Sequence, residues 1–336
     1  MNESDVGVAI FGAGRAGHGH ARAIAQTDDA HLVAVFDVDR DRADSFAETH
    51  GCLAFTNADD VLKRDDVDLV IVALPNFLHE EAAVDSASAG KHVFLEKPMA
   101  DTLEECDRIL AAVSKAGIHL LVAHSQRYFS STIRAREILS SGELGAPVFA
   151  TDTWYKPFGV EMRLPWFLDR ATGGGMWLMN GAHMVDRTCW VLDTSVESVR
   201  GWIGSPFHGL SADDANMVFL TLRNGLHATI VHAGYRTRGV DRCEVEVSCT
   251  DGMLRFDSYS NQLGVSRDGS YSPIESQRVD PFAEELKNLI GAIKGREELR
   301  VPPEWGRHIL EVLLAAEESS RTGSEVRIRS SVTVSS

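Results

Sequence analysis

Residues 6–24, VGVAIFGAGRAGHGHARAI, run from an apolar segment of strand character through three glycines and straight into a helical pattern. Gly12, Gly14 and Gly17 make GxGxxG, and a second apolar segment, LVAVFD, ends in Asp37. This order constrains the fold more than any other feature, because it demands a strand, a tight turn and a helix packed back on the strand. Gly12 permits the turn, Gly14 lets a pyrophosphate approach the backbone, and Gly17 allows close contact between helix and strand. The unpaired N–H groups of the helix start then face the anion. Gly12, Gly14, Arg15, Ala16 and Gly17 are the candidate contacts, with Asp37 accepting hydrogen bonds from adenosine ribose hydroxyls. A carboxylate there repels a 2′-phosphate and favours NAD, while Arg40 and Arg42 nearby in sequence keep NADP open. His18 and His20 lie in the first helical turn, where the positive dipole end opposes a charged ring. They are expected to touch neighbouring loops and the cofactor's edge rather than to do chemistry.

The βαβ rhythm continues. VGVAIF, LVAVF, LVIVAL, HVFLE and HLLVA read as strands, separated by helical stretches such as EEAAVDSASA and LEECDRILAAVSKA. That is the grammar of a doubly wound parallel sheet. After a helix at STIRAREILSSG the pattern changes to PVFATDTWY, NMVFLTLRNGLHATIVHAGY and CEVEVSCTDGMLRF, apolar or alternating runs broken by turns such as Asn224-Gly225. Two domains follow, residues 1–125 and 126–336, the second built on antiparallel strands. The tail RSSVTVSS is expected to fray or to add an edge strand.

Composition narrows the function. A formal charge of −16 repels phosphate backbones and makes nucleic acid a poor partner. No run of about 18 apolar residues suits a membrane span, and the first residues lack the basic region of a secretory signal, so a cytoplasmic location is expected. The five cysteines are scattered and never spaced as CxxC, and there is no HExxH, so neither a disulfide framework nor a metal site is expected.

Two further constellations carry chemistry. Glu96, Lys97 and Pro98 end the strand HVFLE, where an open α/β sheet gathers its ligands, so Lys97 emerges where a nicotinamide and its substrate would meet. Pro98 fixes φ and limits the lysine's wandering. GGGMWLMNGAHMVDRTCWVLD opens on Gly173, Gly174 and Gly175 and continues as an apolar helix carrying His183. Helical spacing puts Met179, Asn180, Asp186 and Arg187 near that histidine.

These motifs in this order, GAGRAGHGH, ALPNFLH, EKP, RYF from Arg127 and GGGMWLMNGAHMVD, resemble the Gfo/Idh/MocA group of NAD(P)-dependent oxidoreductases, the glucose–fructose oxidoreductase and inositol dehydrogenase family. The resemblance spans nearly the whole chain. It implies an N-terminal Rossmann domain followed by an α/β domain with a large, mainly antiparallel open sheet that forms homodimers or homotetramers. It also implies that Lys97 is catalytic and that Leu74, Pro75, Asn76, His79, Glu96 and Lys97 contact the cofactor. His183 matches the family's histidine, but Met179 stands where the family commonly has Asp, so the usual acidic partner is missing. Asn180 is left to orient the imidazole. Asp186 is open between a relay role and tying the helix to its neighbours.

The expected reaction is hydride transfer between nicotinamide and a secondary alcohol or ketone, with His183 taking the proton and Lys97 polarising the oxygen, or the two sharing the base role. Arg127, Tyr155, Trp166, Asn180, His183 and Tyr235 are expected in the substrate pocket, placed by the resemblance and by their position in the second domain. Aromatic and polar side chains together suit a sugar, an inositol or another cyclic polyol. The alternatives are a dihydrodiol-type dehydrogenase, an NAD-dependent glycosidase of the same family, and a nucleotide sensor without chemistry.

Overall fold

The structure, a computed structural model, describes residues 5–334. They divide into two compact units, one formed by residues up to Ala123 with Asp280–Arg307, the other by His124–Val279 with His308–Val334.

In the first unit β1 (Val6–Phe11) leads into α1 (Arg15–Ile24), followed by β2 (Ala30–Phe36), α2 (Arg40–His50), β3 (Leu53–Phe55), α3 (Ala58–Leu62) and β4 (Leu69–Val72). Next come α4 (His79–Ser88), β5 (His92–Leu95), α5 (Leu103–Ala116) and β6 (Leu120–Val122). Among the described residues the six strands pair in parallel in the order β3-β2-β1-β4-β5-β6. This is the doubly wound sheet that the strand rhythm implies. β1 and β4 are buried at every residue, which is why they read as unbroken apolar runs. Asp39 caps α2 by accepting from the Arg42 N–H, and Thr102 with Glu105 forms a capping box on α5.

The second unit holds α6 (Ser130–Ser141), β7 (Pro147–Pro157), α7 (Ala182–Val191), β8 (Val196–Gly204), β9 (Ala215–Leu222), β10 (His227–Tyr235) and β11 (Arg242–Cys249). β12 (Gly252–Asp257), β13 (Gln262–Ser266), β14 (Ser272–Pro273) and β15 (Val326–Arg327) complete its strands. Between β14 and β15 the chain runs through α8 (Pro281–Ile293) and α9 (Pro303–Thr322), the latter entering this unit from His308 onward. Nine strands form one sheet in the order β14-β13-β12-β11-β7-β10-β9-β8-β15 among the described residues, antiparallel throughout except for β7 with β10. Asn224 and Gly225 form the β9–β10 hairpin turn, with Gly225 at φ +85°.

α8 belongs to the first unit although it follows the second sheet in sequence. Its Ala283, Leu286, Leu289 and Ile290 join Val8, Ile10 and Phe94 in one buried cluster. In the tail, strand pairing ends at Arg327, and the Val334 carbonyl accepts from Arg127 Nη1 at 3.0 Å. Ser335 and Ser336 lie outside the described residues. Among the described residues no helix is long and apolar enough to cross a membrane.

Candidate active site

Each glycine of the first turn has its own geometric reason. Gly12 sits at φ +108°, and a Cβ there would lie 2.5 Å from the Ala73 carbonyl oxygen. A Cβ on Gly17 would lie 2.1 Å from the Gly12 carbonyl oxygen, so the helix packs on the turn only with glycine. A Cβ on Gly14 would meet no heavy atom within 4 Å, which leaves the backbone open to a ligand at the start of α1. Arg15 and Ala16 follow, exposed and half-buried.

Asp37 is buried, and its Oδ2 accepts from the Ala13 N–H at 3.0 Å. Its Oδ1 accepts from the Asp39 N–H at 3.0 Å and from Arg42 Nη2 at 2.7 Å. Burial opposes the charge on Asp37, but these hydrogen bonds outweigh it and hold the carboxyl below its ordinary value. Beside it lies a cavity of about 310 Å³ lined by Ala13, His18, Asp39, Asp41, Arg42 and Ser45. A backbone cradle open at Gly14 and an ionised Asp37 beside a cavity fit the pyrophosphate and ribose of NAD. Arg42, which sequence position left available to a 2′-phosphate, is instead engaged with Asp37.

The two early histidines part company. His18 Nδ1 lies 2.8 Å from His50 Nε2, and its ring packs on Phe46. His20, fully buried, places Nε2 at 2.8 Å from Glu96 Oε1 and so supports the EKP segment from α1. Sequence reading missed that link, since nothing in spacing joins residues 76 positions apart.

Glu96 also accepts from the Lys97 N–H at 3.3 Å. Burial opposes its charge, and the His20 hydrogen bond with the nearby positive groups prevails, keeping it below the ordinary glutamate value. Lys97 stands in the loop after β5, at the carboxyl end of the parallel sheet. Burial pushes its ammonium below the ordinary lysine value, with Glu96 pulling the other way.

In the loop after β4, Leu74 and Pro75 are half-buried, and the Asn76 amide donates to Asp101 Oδ1. His79 is buried, with Nε2 at 2.9 Å from the Leu74 carbonyl and Nδ1 at 2.9 Å from the Pro98 carbonyl.

In the second unit, the segment before His183 is not α-helical. Trp177–Gly181 forms a π-helical turn that feeds into α7, so simple i±4 spacing breaks down between Met179 and His183. Gly175, at φ +113°, packs against Asp213, whose Oδ2 accepts from the Trp177 N–H at 2.9 Å. Burial, with Glu317 and Asp214 adding to it against the Trp177 hydrogen bond, pushes Asp213 up to about 7. Met179 packs with Trp166 against an apolar cluster of Phe158, Phe167 and Met176, which accounts for a thioether at that place. Asn180 Nδ2 lies 3.4 Å from His232 Nε2, and His183 is half-buried on the first turn of α7.

α7 is anchored by two buried ion pairs. Asp186 receives Arg127 at 2.9 Å, and Arg187 meets Asp152 of β7 at 2.7 and 2.5 Å. Arg127 is fully buried in this pair, and Asp186 ties α7 to its neighbours.

The Arg187 contact also fixes which face of β7 meets α7. Side chains alternate along a strand, so Asp152, Trp154 and Lys156 share that face and Tyr155 takes the other. On β10, His232 faces the π-helical turn, so Tyr235 lies opposite, its hydroxyl donating to Asp241. Trp154 stacks on His232 at 5.6 Å and carries Lys156 Nζ at 4.3 Å from the centroid of its indole. Burial, then Lys156 and Arg187, push His232 well below its ordinary value, so it is neutral. Trp154, Lys156 and His232 thus hold the α7 side of the sheet, and Tyr155 and Tyr235, expected in the substrate pocket, lie on its other face. The alternation BiBiBiBi of β10 carried the signal, but only a known partner sets its phase.

Comparison with known proteins decides the family. A model described as an oxidoreductase family with an NAD-binding Rossmann fold matches residues 6–124, and a GFO/IDH/MocA C-terminal domain matches residues 132–255. The chain belongs to the Gfo/Idh/MocA oxidoreductase family. It is therefore an NAD-binding oxidoreductase, as the GxGxxG turn and Asp37 imply. A curated relative, myo-inositol 2-dehydrogenase of Thermotoga maritima, is 28% identical over 335 residues, covering 96% of this chain and 98% of that one. Glucose-6-phosphate 3-dehydrogenase of Bacillus subtilis is 27% identical over 72% of this chain and 69% of its own. Among solved structures, aldose-aldose oxidoreductase from Caulobacter crescentus, complexed with glycerol, superposes with a TM-score of 0.87 at 25% identity, covering 96% of this chain and 99% of that one.

Proposed function

We propose that this Gfo/Idh/MocA protein transfers hydride between NAD and a secondary alcohol or ketone of a sugar, an inositol or a related cyclic polyol. The observation that carries the reading is Lys97, held after β5 beside Glu96 with its ammonium destabilised by burial. Bound NAD supplies the hydride acceptor. Lys97 donates a hydrogen bond to the substrate oxygen, and His183 takes the proton as the carbonyl forms. A lysine of lowered pKa also takes a share of the proton, which suits a chain with Met179 in place of an acid. Trp154 offers an apolar platform for a sugar's C–H face, with Asn180 and the neutral His232 bonding hydroxyls. The relatives named for inositol and sugar phosphate oxidation support this substrate class.

Met179 and Trp166 in one apolar cluster favour a second reading, a partly apolar alcohol such as a cyclic dihydrodiol. The sheet face carrying the half-exposed Phe149, Trp202, Met217 and Phe219 suits pairing with a second copy, giving a homodimer or homotetramer. Five cysteines, all unbridged, suit a reducing cytoplasm.

The test is a panel of sugars, inositols and cyclic diols assayed with NAD and NADP by the absorbance of reduced nicotinamide. Turnover of a cyclic polyol with NAD is expected. Cofactor binding without turnover of any alcohol would overturn the reading in favour of a sensor or a glycosidase.

A further inference from the structure

We infer that His79 is a positioning residue for Lys97: its imidazole ties the loop after β4 to the loop after β5 and so fixes the backbone from which the lysine projects. The inference rests on Lys97 being the working group proposed above. The ring is 1% exposed and lies 2.9 Å from each of two carbonyl oxygens, Leu74 in one loop and Pro98 in the other. β4 and β5 are neighbours in the sheet, so the two loops leave it side by side. Lys97 is the residue directly before Pro98, and holding the Pro98 carbonyl restrains the Pro98–Met99 peptide, one residue beyond the lysine.

A second tie runs parallel to the first. Asn76 donates to Asp101, whose own N–H is accepted by Glu105 at 2.9 Å, the glutamate that also closes the capping box of α5. The braced loops are therefore anchored to α4 on one side and α5 on the other. Burial favours the neutral ring, whose single N–H donates to one of these carbonyls while the other nitrogen faces the second; His79 therefore acts on the reaction through geometry and not by touching cofactor. This differs from the contact role that the family resemblance implies for it.

The electrostatic surroundings are compact. Glu96 favours the charged form of both Lys97 and His79, Asp101 favours that of His79, and His20 holds Glu96 from α1. Burial opposes charge on Lys97 and His79 alike. Loosening the brace lets water reach the ammonium and relieves that opposition, so the lysine's midpoint rises toward its ordinary value.

The experiment compares wild type with His79→Phe, which keeps a ring without donors, and His79→Gln, whose amide still donates to one carbonyl. The reactivity of the Lys97 amine toward trace acetylation is followed against pH by mass spectrometry on the NAD-bound protein, beside kcat, NAD affinity and melting temperature. His79→Phe is expected to raise the Lys97 midpoint by about one pH unit. Its kcat should fall by roughly 10- to 100-fold, with NAD affinity within about threefold of wild type. His79→Gln should fall between the two, and it carries the test if the Phe variant does not fold. A lower melting temperature with an unmoved lysine midpoint would overturn the proposal in favour of a purely structural histidine. Loss of NAD affinity with the midpoint unmoved would overturn it in favour of a cofactor contact. If no alcohol is turned over, the dehydrogenase reading fails, while the acetylation curves still decide whether His79 governs Lys97.

Discussion

Replacing Asp213 with Asn swaps a buried carboxyl for a neutral group of the same shape that still accepts from the Trp177 N–H. Asp213 stands near 7 in the folded protein against an ordinary value of 3.8. A folded-state pKa above the unfolded one means that the native state binds the proton more tightly. The carboxyl's contribution to stability is therefore full below about pH 4 and is lost as pH rises through about 7. Each unit in that window is worth about 1.4 kcal/mol. Between pH 5 and 8 the stability advantage of Asp213→Asn over wild type should grow by about 2.5 kcal/mol and then level off. Urea unfolding followed by tryptophan fluorescence reads this, since Trp177 is fully buried beside the carboxyl. A difference between the two proteins that stays flat from pH 5 to 8 would refute the reasoning. Because Asp213 holds the entry to the π-helical turn bearing Asn180, kcat of the wild type alone should carry an added pH dependence near neutrality.

Other substitutions follow from the same geometry. Gly14→Ala should leave the melting temperature nearly unchanged while weakening NAD binding, because its Cβ enters open space at the pyrophosphate cradle. Gly17→Ala should lower stability by about 1–3 kcal/mol as measured by thermal melting, because its Cβ clashes with backbone. Asp37→Ser should shift the ratio of NAD to NADP dissociation constants toward NADP by roughly tenfold, about 1.4 kcal/mol, as Arg42 is released. Arg187→Leu should cost about 3–5 kcal/mol in chemical denaturation by stranding buried Asp152, and adding Asp152→Leu should recover much of it.

The parallel sheet was legible because its strands are buried on both faces and read as apolar runs, and because glycine roles in a tight turn are set by backbone sterics. β3 escaped notice, being three residues long and only partly buried. The place of α8 was also hidden: an amphipathic helix declares that it covers an apolar surface, but its period says nothing about which one. At the site, Asp37 and Lys97 could be placed from their position at strand ends. His20, His232 and Asp213 could not, since each acts through a partner on another element. Arg127 and Asp186 were visible as a motif, yet only packing shows them paired and buried under α7. The π-helical turn was invisible because helical periodicity assumes one geometry throughout.

The most direct test is single-turnover hydride transfer by the NAD-bound protein with its best alcohol, in wild type and in Lys97→Met, beside a titration of NAD affinity. The structure predicts that NAD affinity holds while the rate of reduced nicotinamide formation falls by roughly 100-fold or more. A Lys97→Met protein that transfers hydride at the wild-type rate would contradict the assignment of Lys97 to the reacting oxygen.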